Sequence, residues 1–178
     1  ETIGNRVFAN CVKLQTINLP NSINSIGNSA FSDCTGLTSI VLPNSLTTIE
    51  GYMFFHCDNI TSVTLPENVT IIKDYAFAYC PITSLLLPST LTSIGECAFI
   101  DAQTPSFSIP ASVTDIGRMA FYSGVQQLFF NSESAPSIGE KPFYESQNLQ
   151  IYVPCNALEN YQNDEDWAQY KDYLKTAS

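Results

Sequence analysis

The chain has 178 residues, of which 44% are apolar, a usual share for a globular domain, but only 13% are charged, about half the usual share. Its net charge of −10, with seven lysines and arginines in total, disfavours binding to nucleic acid or to an anionic membrane surface. No apolar run approaches the roughly 18–20 residues that a membrane-spanning helix needs.

Phenylalanines recur along the chain with a nearly fixed spacing. They are 23 residues apart as far as Phe77 and 22 residues apart from there to Phe143, and an isoleucine stands five residues before each one. Between them the chain repeats segments such as LTSIVLP and ITSVTLP. This pattern indicates a solenoid of about seven coils, each packed on its neighbours.

The apolar residues of each repeated segment alternate with polar ones. In the second coil, Leu37, Ile40 and Leu42 are apolar and Pro43 follows. The alternation predicts a short strand with one face on the core, and the proline, which lacks an N–H, ends it. Stacked strands at about 4.8 Å spacing then form a parallel sheet of roughly 34 Å.

The second half of each coil has the form S-[LV]-T-x-I-G-x-x-A-F. Its apolar pair, such as Leu46 and Ile49, predicts either a second short strand or a 3-10 turn, and we expect the glycine to mark a tight bend. The phenylalanines should form an internal column. We also expect a polar ladder that satisfies backbone groups at the bend, formed by Ser22, Ser45, Asn68, Thr90 and Ser112.

Four cysteines follow the same period, each three residues after its phenylalanine: Cys11, Cys34, Cys57 and Cys80. Later coils place small residues in this slot, so it is a packing position. Thiols in a column about 4.8 Å apart cannot surround a metal tetrahedrally. The Cα spacing alone permits a disulfide between neighbours, but parallel side chains point the same way. We therefore expect free, buried thiols.

The recurring motif L-x-x-I-x-L-P-x-S-[LV]-T-x-I-G-x-x-A-F-x-x-C resembles the BspA-like subclass of leucine-rich repeats over nearly the whole chain. The ending, with SAPSIGEKPF, LQIYVPCNALENYQ and WAQYKDYLK, is similar to that of such proteins from Bacteroidetes-type bacteria. The resemblance implies a leucine-rich repeat solenoid, a right-handed superhelix, in an exported or cell-surface protein that acts in adhesion or protein binding. It supplies no catalytic residues and implies no cofactor.

The predicted solenoid covers residues 1–153, and residues 154–178 break the period and should cap it. Within the cap, Trp167, Tyr170 and Leu174 have the i, i+3, i+7 spacing of a helix. Glu1 lies inside a coil, from which we expect further repeats or another domain before it.

Two features invite a catalytic or metal-binding interpretation. His56 precedes Cys57, but adjacent side chains diverge and no orienting group is evident, so we expect an exposed loop histidine. The acidic run that contains Asp164 lacks the alternating ligands of a calcium loop, and we expect it to cap a helix. We predict no catalytic residue, no metal site and no cofactor.

The outward positions of the strands are the candidate binding surface of a curved solenoid. The first row consists of small polar residues in the first five coils and of glutamines in the last two: Thr16, Ser39, Ser62, Ser84, Ser106, Gln127 and Gln150. The second row becomes aromatic towards its end: Asn18, Val41, Thr64, Leu86, Ser108, Phe129 and Tyr152. Phe129 and Tyr152 should be neighbours, either exposed as interface anchors or covered by the cap or a loop.

The sequence thus favours a non-enzymatic, extracellular or cell-surface module that binds a protein, which could be a host protein, with a glycan as the second candidate. The predicted partner-binding residues are Leu86, Ser108, Gln127, Phe129, Gln150 and Tyr152. Neither nucleic acid nor a membrane is an expected partner. Two alternatives stay open: a structural spacer within a longer surface protein and, more remotely, a hydrolase.

Overall fold

The structure, a computed structural model, describes residues 1–177. It is a parallel β-solenoid of about eight turns with few helices, as the sequence predicts. We number the seven phenylalanine-containing coils from coil 1, with Phe8, to coil 7, with Phe143. The eighth turn is formed by the C-terminal residues.

The strands, numbered in chain order, fall into two sets. The strands that precede the phenylalanines are β1 Thr2–Ile3, β2 Ser25–Ile26, β4 Thr48–Ile49, β6 Ile71–Ile72, β7 Ser93–Ile94, β9 Asp115–Ile116 and β11 Ser137–Ile138. The strands of the L-x-x-I-x-L segments and of the last turn are β3 Ser39–Val41, β5 Ser62–Thr64, β8 Ser106–Ile109, β10 Gln127–Phe130, β12 Gln150–Val153 and β13 Leu174–Thr176.

All strand pairs are parallel and join adjacent turns in register. The first set forms two sheets, β1-β2 and β4-β6-β7-β9-β11. The second half of each coil, for which the sequence predicts either a strand or a 3-10 turn, therefore contains a strand. The second set also forms two sheets, β3-β5 and β8-β10-β12-β13. The predicted strand face is therefore interrupted, and coil 4 contributes to it only a bridge between Ser62 and Ser84.

The predicted phenylalanine column fills the solenoid. Successive rings from Phe8 to Phe143 stack with centroids 5.2–6.3 Å apart. The isoleucines of the first strand set pair in register beside them, as Ile72 does with Ile49 and Ile94. Replacing one buried phenylalanine by alanine costs about 3–5 kcal/mol in such a core.

The glycines that follow the column isoleucines stand directly before a turn or bend, as Gly27 does and as predicted. Of the glycines that follow the column isoleucines, none has a left-handed backbone. A Cβ on Gly95 would lie 2.6 Å from the backbone nitrogen of Asp74 in the preceding coil, so glycine there permits close approach of two backbones. Left-handed conformations occur instead two residues before and after each phenylalanine, as at Ser29 (φ 55°) and Asp33 (φ 58°) around Phe31.

Four of the five residues of the predicted polar ladder donate to backbone carbonyls, as Asn68 does to Asn44 at 2.9 Å, whereas the Ser22 hydroxyl donates to the Glu1 carboxylate at 3.3 Å. The Ser45 hydroxyl donates to the carbonyl of Ile23, that of Thr90 to Val69 at 2.8 Å, and that of Ser112 to Leu91 at 2.6 Å. Each of these three hydroxyls therefore satisfies a carbonyl of the preceding coil, where the turn leaves it without a backbone donor.

The cysteine column consists of free thiols, as predicted. The Cys34 thiol donates to the carbonyl oxygen of Phe8 at 3.0 Å, Cys57 to Phe31 at 3.1 Å and Cys80 to Phe54 at 2.9 Å. Ser146 fills the same slot in coil 7 and donates to Phe121 at 3.2 Å. Ala102 and Gly124 fill the slot in coils 5 and 6. The slot therefore requires a small residue, and cysteine or serine adds a hydrogen bond to the preceding coil.

The C-terminal cap is only partly helical. It contains a short helix α1 (Leu158–Asn163) and a 3-10 helix (Ala168–Tyr173), and the buried Trp167 indole donates to the carbonyl of Pro136 at 2.8 Å. Trp167 also packs against Phe143, the last ring of the column, with centroids 5.7 Å apart. Leu174, predicted to continue a helix, instead begins β13, which pairs with β12 and adds one more strand to the sheet.

The buried thiols predict a loss of stability at alkaline pH. Burial raises the pKa of Cys57 above its ordinary value of 9.0 and raises that of Cys80 to about 12. Above about pH 9 the unfolded chain loses these protons while the folded protein keeps them. The stability that the protonated thiols contribute is therefore fully present below about pH 9 and falls as the pH rises above it. We expect urea titrations to show this decline.

The Cys57→Ser/Cys80→Ser variant is the matched control, because serine keeps the hydrogen bond and titrates outside this range. Its stability should decline less between about pH 8 and pH 10.5 than that of the unaltered chain. Equal slopes for the two proteins would contradict the prediction, as would fewer than four free thiols in the denatured, unreduced chain.

Candidate functional site

The outward positions of coils 5 to 7 align in two rows, as predicted. Register aligns Ser106, Gln127 and Gln150 in the first row, and places Phe129 between Ser108 and Tyr152 in the second. None of the fourteen side chains predicted for these rows is charged. The strand face is therefore neutral on a strongly acidic protein.

The strand face is interrupted because of Pro105. In coils 2 to 4, a threonine N–H at this position donates to a carbonyl of the preceding coil, as Thr61 does to Thr38 at 3.0 Å and Thr83 to Thr61 at 3.3 Å. Pro105 occupies the same position in coil 5 and has no N–H, so it cannot continue this row of bonds to Thr83. The buried Thr104 hydroxyl donates to Ile82 instead.

A groove of about 620 Å³ lies over this interruption. Its walls are Leu86, whose side chain is 85% exposed, and Phe129 two coils further on. The exposed Ser106 and Ser108 lie between them, because coil 5 has no large outward side chain. The groove thus combines two apolar walls with hydroxyl groups.

Phe129 and Tyr152 form a stacked pair beside the groove. Their ring centroids are 4.7 Å apart and the rings are nearly parallel, at 7°. Both side chains are half-buried. The cap extends this row without covering it, since the next position in register is the exposed Lys175 of β13.

The structure divides the predicted partner-binding residues between two places. Leu86, Ser108 and Phe129 line the groove, whereas Gln127, Gln150 and Tyr152 lie on its C-terminal side. The Tyr152 hydroxyl donates to the Gln150 side-chain oxygen, which holds the ring against the sheet.

Sequence reasoning missed several residues of the groove. They are Thr83, Leu85, Leu87, Ser89, Pro110, Ala111, Ser112 and Asn131. Ser84 and Ser106 belong to the first predicted row but were not among the predicted partner-binding residues. Asn131 donates from its amide to the Ser108 hydroxyl at 3.2 Å. The signal that could have located the groove is Pro105, which in coil 5 follows threonines at the same position in coils 2 to 4.

The two catalytic or metal-binding candidates have structural roles. The Cys57 thiol is buried and bonded to Phe31, whereas His56 points elsewhere and stacks on Tyr79 with centroids 4.5 Å apart. His56 is therefore half-buried among aromatic rings and not a free loop histidine. The Asp164 carboxylate accepts the backbone N–H groups of Asp166 and Trp167 and so organises the turn between the cap helices, although it does not cap the N-terminus of either helix as predicted.

The family comparison agrees with this architecture. The family model described as "BspA type leucine rich repeat region (6 copies)" matches residues 1–122 and again residues 47–164. The chain belongs to the BspA-type leucine-rich repeat family. A comparison with curated proteins finds no match to this sequence.

Solved structures of bacterial leucine-rich repeat proteins share the fold. A leucine-rich repeat protein from Bacteroides ovatus aligns with a TM-score of 0.76 and 26% identity, over 86% of this chain and 46% of the other. A leucine-rich cell surface protein from Faecalibacterium prausnitzii gives 0.60 and 26%, over 86% and 50%. The chain therefore spans about half the length of these two relatives.

A more distant structure supports the fold alone. The pneumococcal vaccine antigen PcpA aligns with a TM-score of 0.62 and 17% identity, over 99% of this chain and 57% of the other. Among residues 1–177, no helix combines the length and the apolar character needed to cross a bilayer.

Replacing the proline tests the origin of the interruption. In Pro105→Thr, the new amide at position 105 should donate to the Thr83 carbonyl, as the threonines of earlier coils do, and should exchange slowly with deuterium. The net change in stability should stay within about 1 kcal/mol, because the gained bond is offset by a more flexible unfolded chain. Exchange as fast as that of the exposed Gln103 amide would contradict this explanation.

Proposed function

We propose that this chain is a non-enzymatic recognition module that binds an extracellular or cell-surface protein through the groove between Leu86 and Phe129. The observation that supports this most directly is the groove itself: two apolar walls on an otherwise neutral, hydroxyl-rich strand face. Buried apolar anchors surrounded by polar groups are the usual source of affinity in protein interfaces.

The chemistry of the groove favours an uncharged segment of the partner. Its lining residues carry no charge, so a charged side chain would lose hydration there without gaining a partner. An aliphatic or aromatic side chain can enter between Leu86 and Phe129 while its backbone bonds to Ser106 and Ser108. A glycan could use the same hydroxyls, but the protruding Leu86 offers it little, so a protein is the favoured ligand.

The relative from Faecalibacterium prausnitzii, named as a cell surface protein, supports the proposed extracellular or cell-surface location. The proposed role in adhesion follows from protein binding at that location. The alternative of a spacer rests on a different observation. Coils 1 to 3 carry small polar residues, Thr16, Ser39 and Ser62, in the first outward row. The two proposals therefore divide along the chain, with recognition assigned to coils 4 to 7.

Photo-crosslinking identifies the partner and locates the site together. A photoreactive residue introduced at Ser108, inside the groove, should capture a protein from the bacterium's natural surroundings, whereas one at Ser39 on the same face should not. The captured protein is then purified and its affinity for the chain is measured by titration calorimetry.

Substitutions test the groove with the purified partner. Leu86→Ser/Phe129→Ser should weaken binding at least roughly thirtyfold, as expected for the loss of two interface anchors. The control is Val41→Ser, which removes a side chain that is 67% exposed in the same row but outside the groove. Unchanged affinity for the double variant, with circular dichroism showing an intact fold, would contradict the proposed site and favour a spacer.

A further inference from the structure

A second cluster of exposed and half-buried aromatic residues lies away from the groove, on the segments around the column phenylalanines. We call it the aromatic face and define it as Tyr52, Phe55, His56, Tyr75, Tyr79 and Tyr122. Four of its members pack against a small apolar cluster of Ala78, Cys97 and Ile100 that is separate from the main core.

The aromatic face is rigid. Tyr52 stacks on Tyr75 with centroids 4.8 Å apart at 6°, and His56 stacks on Tyr79 at 8°. Phe55 meets Tyr79 edge-on at 5.6 Å. A partner would therefore meet ordered rings and would lose little entropy in fixing them.

The fold does not require these rings. At the positions of Tyr52 and Tyr75, two residues before the column phenylalanine, coil 2 has Ser29. At the positions of His56 and Tyr79, coil 2 has Asp33. Because coil 2 packs normally with polar residues in both slots, the aromatic residues of coils 3 and 4 call for another explanation.

Carboxylates flank the rings. A surface hollow of about 280 Å³ is lined by Tyr79 and Pro81 of coil 4, by Asp58 of the coil before, and by Asp101 and Gln103 of the coil after. Asp58 lies 3.4 Å from His56 Nδ1, and Asp101 accepts the Ser123 hydroxyl at 2.6 Å. Within residues 1–177, neither carboxylate pairs with a lysine or arginine.

The positive charges nearest to this face already have partners. Lys73 pairs with Glu50 at 2.8 Å, and Arg118 pairs with Glu96. In coil 7, Lys141 lies over the ring of Tyr144, 5.2 Å from its centroid. That contact is an example, on an adjacent part of the same side, of a cation placed on a tyrosine ring.

We infer that the aromatic face binds a basic segment of a protein, with an arginine or lysine side chain placed over Tyr79 and Pro81 between the carboxylates of Asp58 and Asp101. Aromatic rings attract cations through their negative faces, and the carboxylates of Asp58 and Asp101 supply the negative charge. The guanidinium group suits both, because it stacks on rings and bonds to carboxylates. This surface is separate from the groove and binds a positively charged segment, whereas the groove favours an uncharged one.

The test uses a synthetic probe. A fluorescein-labelled twelve-residue peptide of alternating arginine and serine is titrated with the chain and followed by fluorescence anisotropy. The control peptide replaces each arginine by citrulline, which keeps the shape and removes the charge. We expect saturable binding of the arginine peptide only, weakened several-fold when salt is raised from about 50 to about 300 mM.

Two variants locate the site. Asp58→Asn/Asp101→Asn should weaken binding roughly three- to tenfold, whereas Glu67→Gln/Glu159→Gln, which removes two exposed charges elsewhere, should weaken it less than about twofold. Tyr79→Ser should weaken binding of the peptide at low and at high salt, because it removes the ring. The asparagine variant keeps the test valid if Tyr79→Ser unfolds.

Several results would overturn the inference. These are no binding up to about 1 mM peptide, equal binding of the citrulline peptide, or equal losses in the two charge-removing variants. Each leaves the groove proposal unaffected, since Leu86 and Phe129 are intact in every protein used.

Discussion

Adjacent coils meet backbone to backbone, and this contact governs the rest of the structure. Parallel strands can pair in register only if each coil has the same cross-section as its neighbours. The phenylalanine column sets that cross-section, with rings about 5–6 Å apart along the solenoid. The other inward residues follow from this constraint: glycine where a Cβ would clash with the neighbouring backbone, and a small residue, such as Cys57, three residues after each phenylalanine.

This constraint does not apply to the outward positions, where the coils differ in the size and polarity of their side chains. The same slot holds Leu86, Ser108 and Phe129 in three successive coils, and this difference in size forms the groove. On another side, aromatic residues replace the polar residues of coil 2. The two surfaces have different chemistry: the groove is neutral, whereas the aromatic face is flanked by carboxylates. One scaffold can thus present two binding sites that respond differently to salt.

Periodic features were predictable from the sequence because every coil repeats the same evidence. The Phe77 column, the free thiol of Cys57 and the outward row that contains Phe129 all follow from spacing. Features that depend on one residue or on local geometry were not. The effect of Pro105 could be predicted only by knowing that the residues at this position donate their N–H groups to the preceding coil. Strand β13 lies in the C-terminal segment, where the repeat period is lost. The left-handed backbone at Ser29 gives no sequence signal, because glycine does not occupy that position.

Deletion of one complete coil tests the central claim that register between identical cross-sections maintains the fold. Removing residues 49–71 joins Thr48 to Ile72 and leaves the isoleucine and phenylalanine columns in register, whereas removing residues 49–68 displaces them by three positions. Urea unfolding followed by circular dichroism should show a cooperative transition for the first deletion and none for the second. Cooperative unfolding of both proteins with similar midpoints would contradict the account.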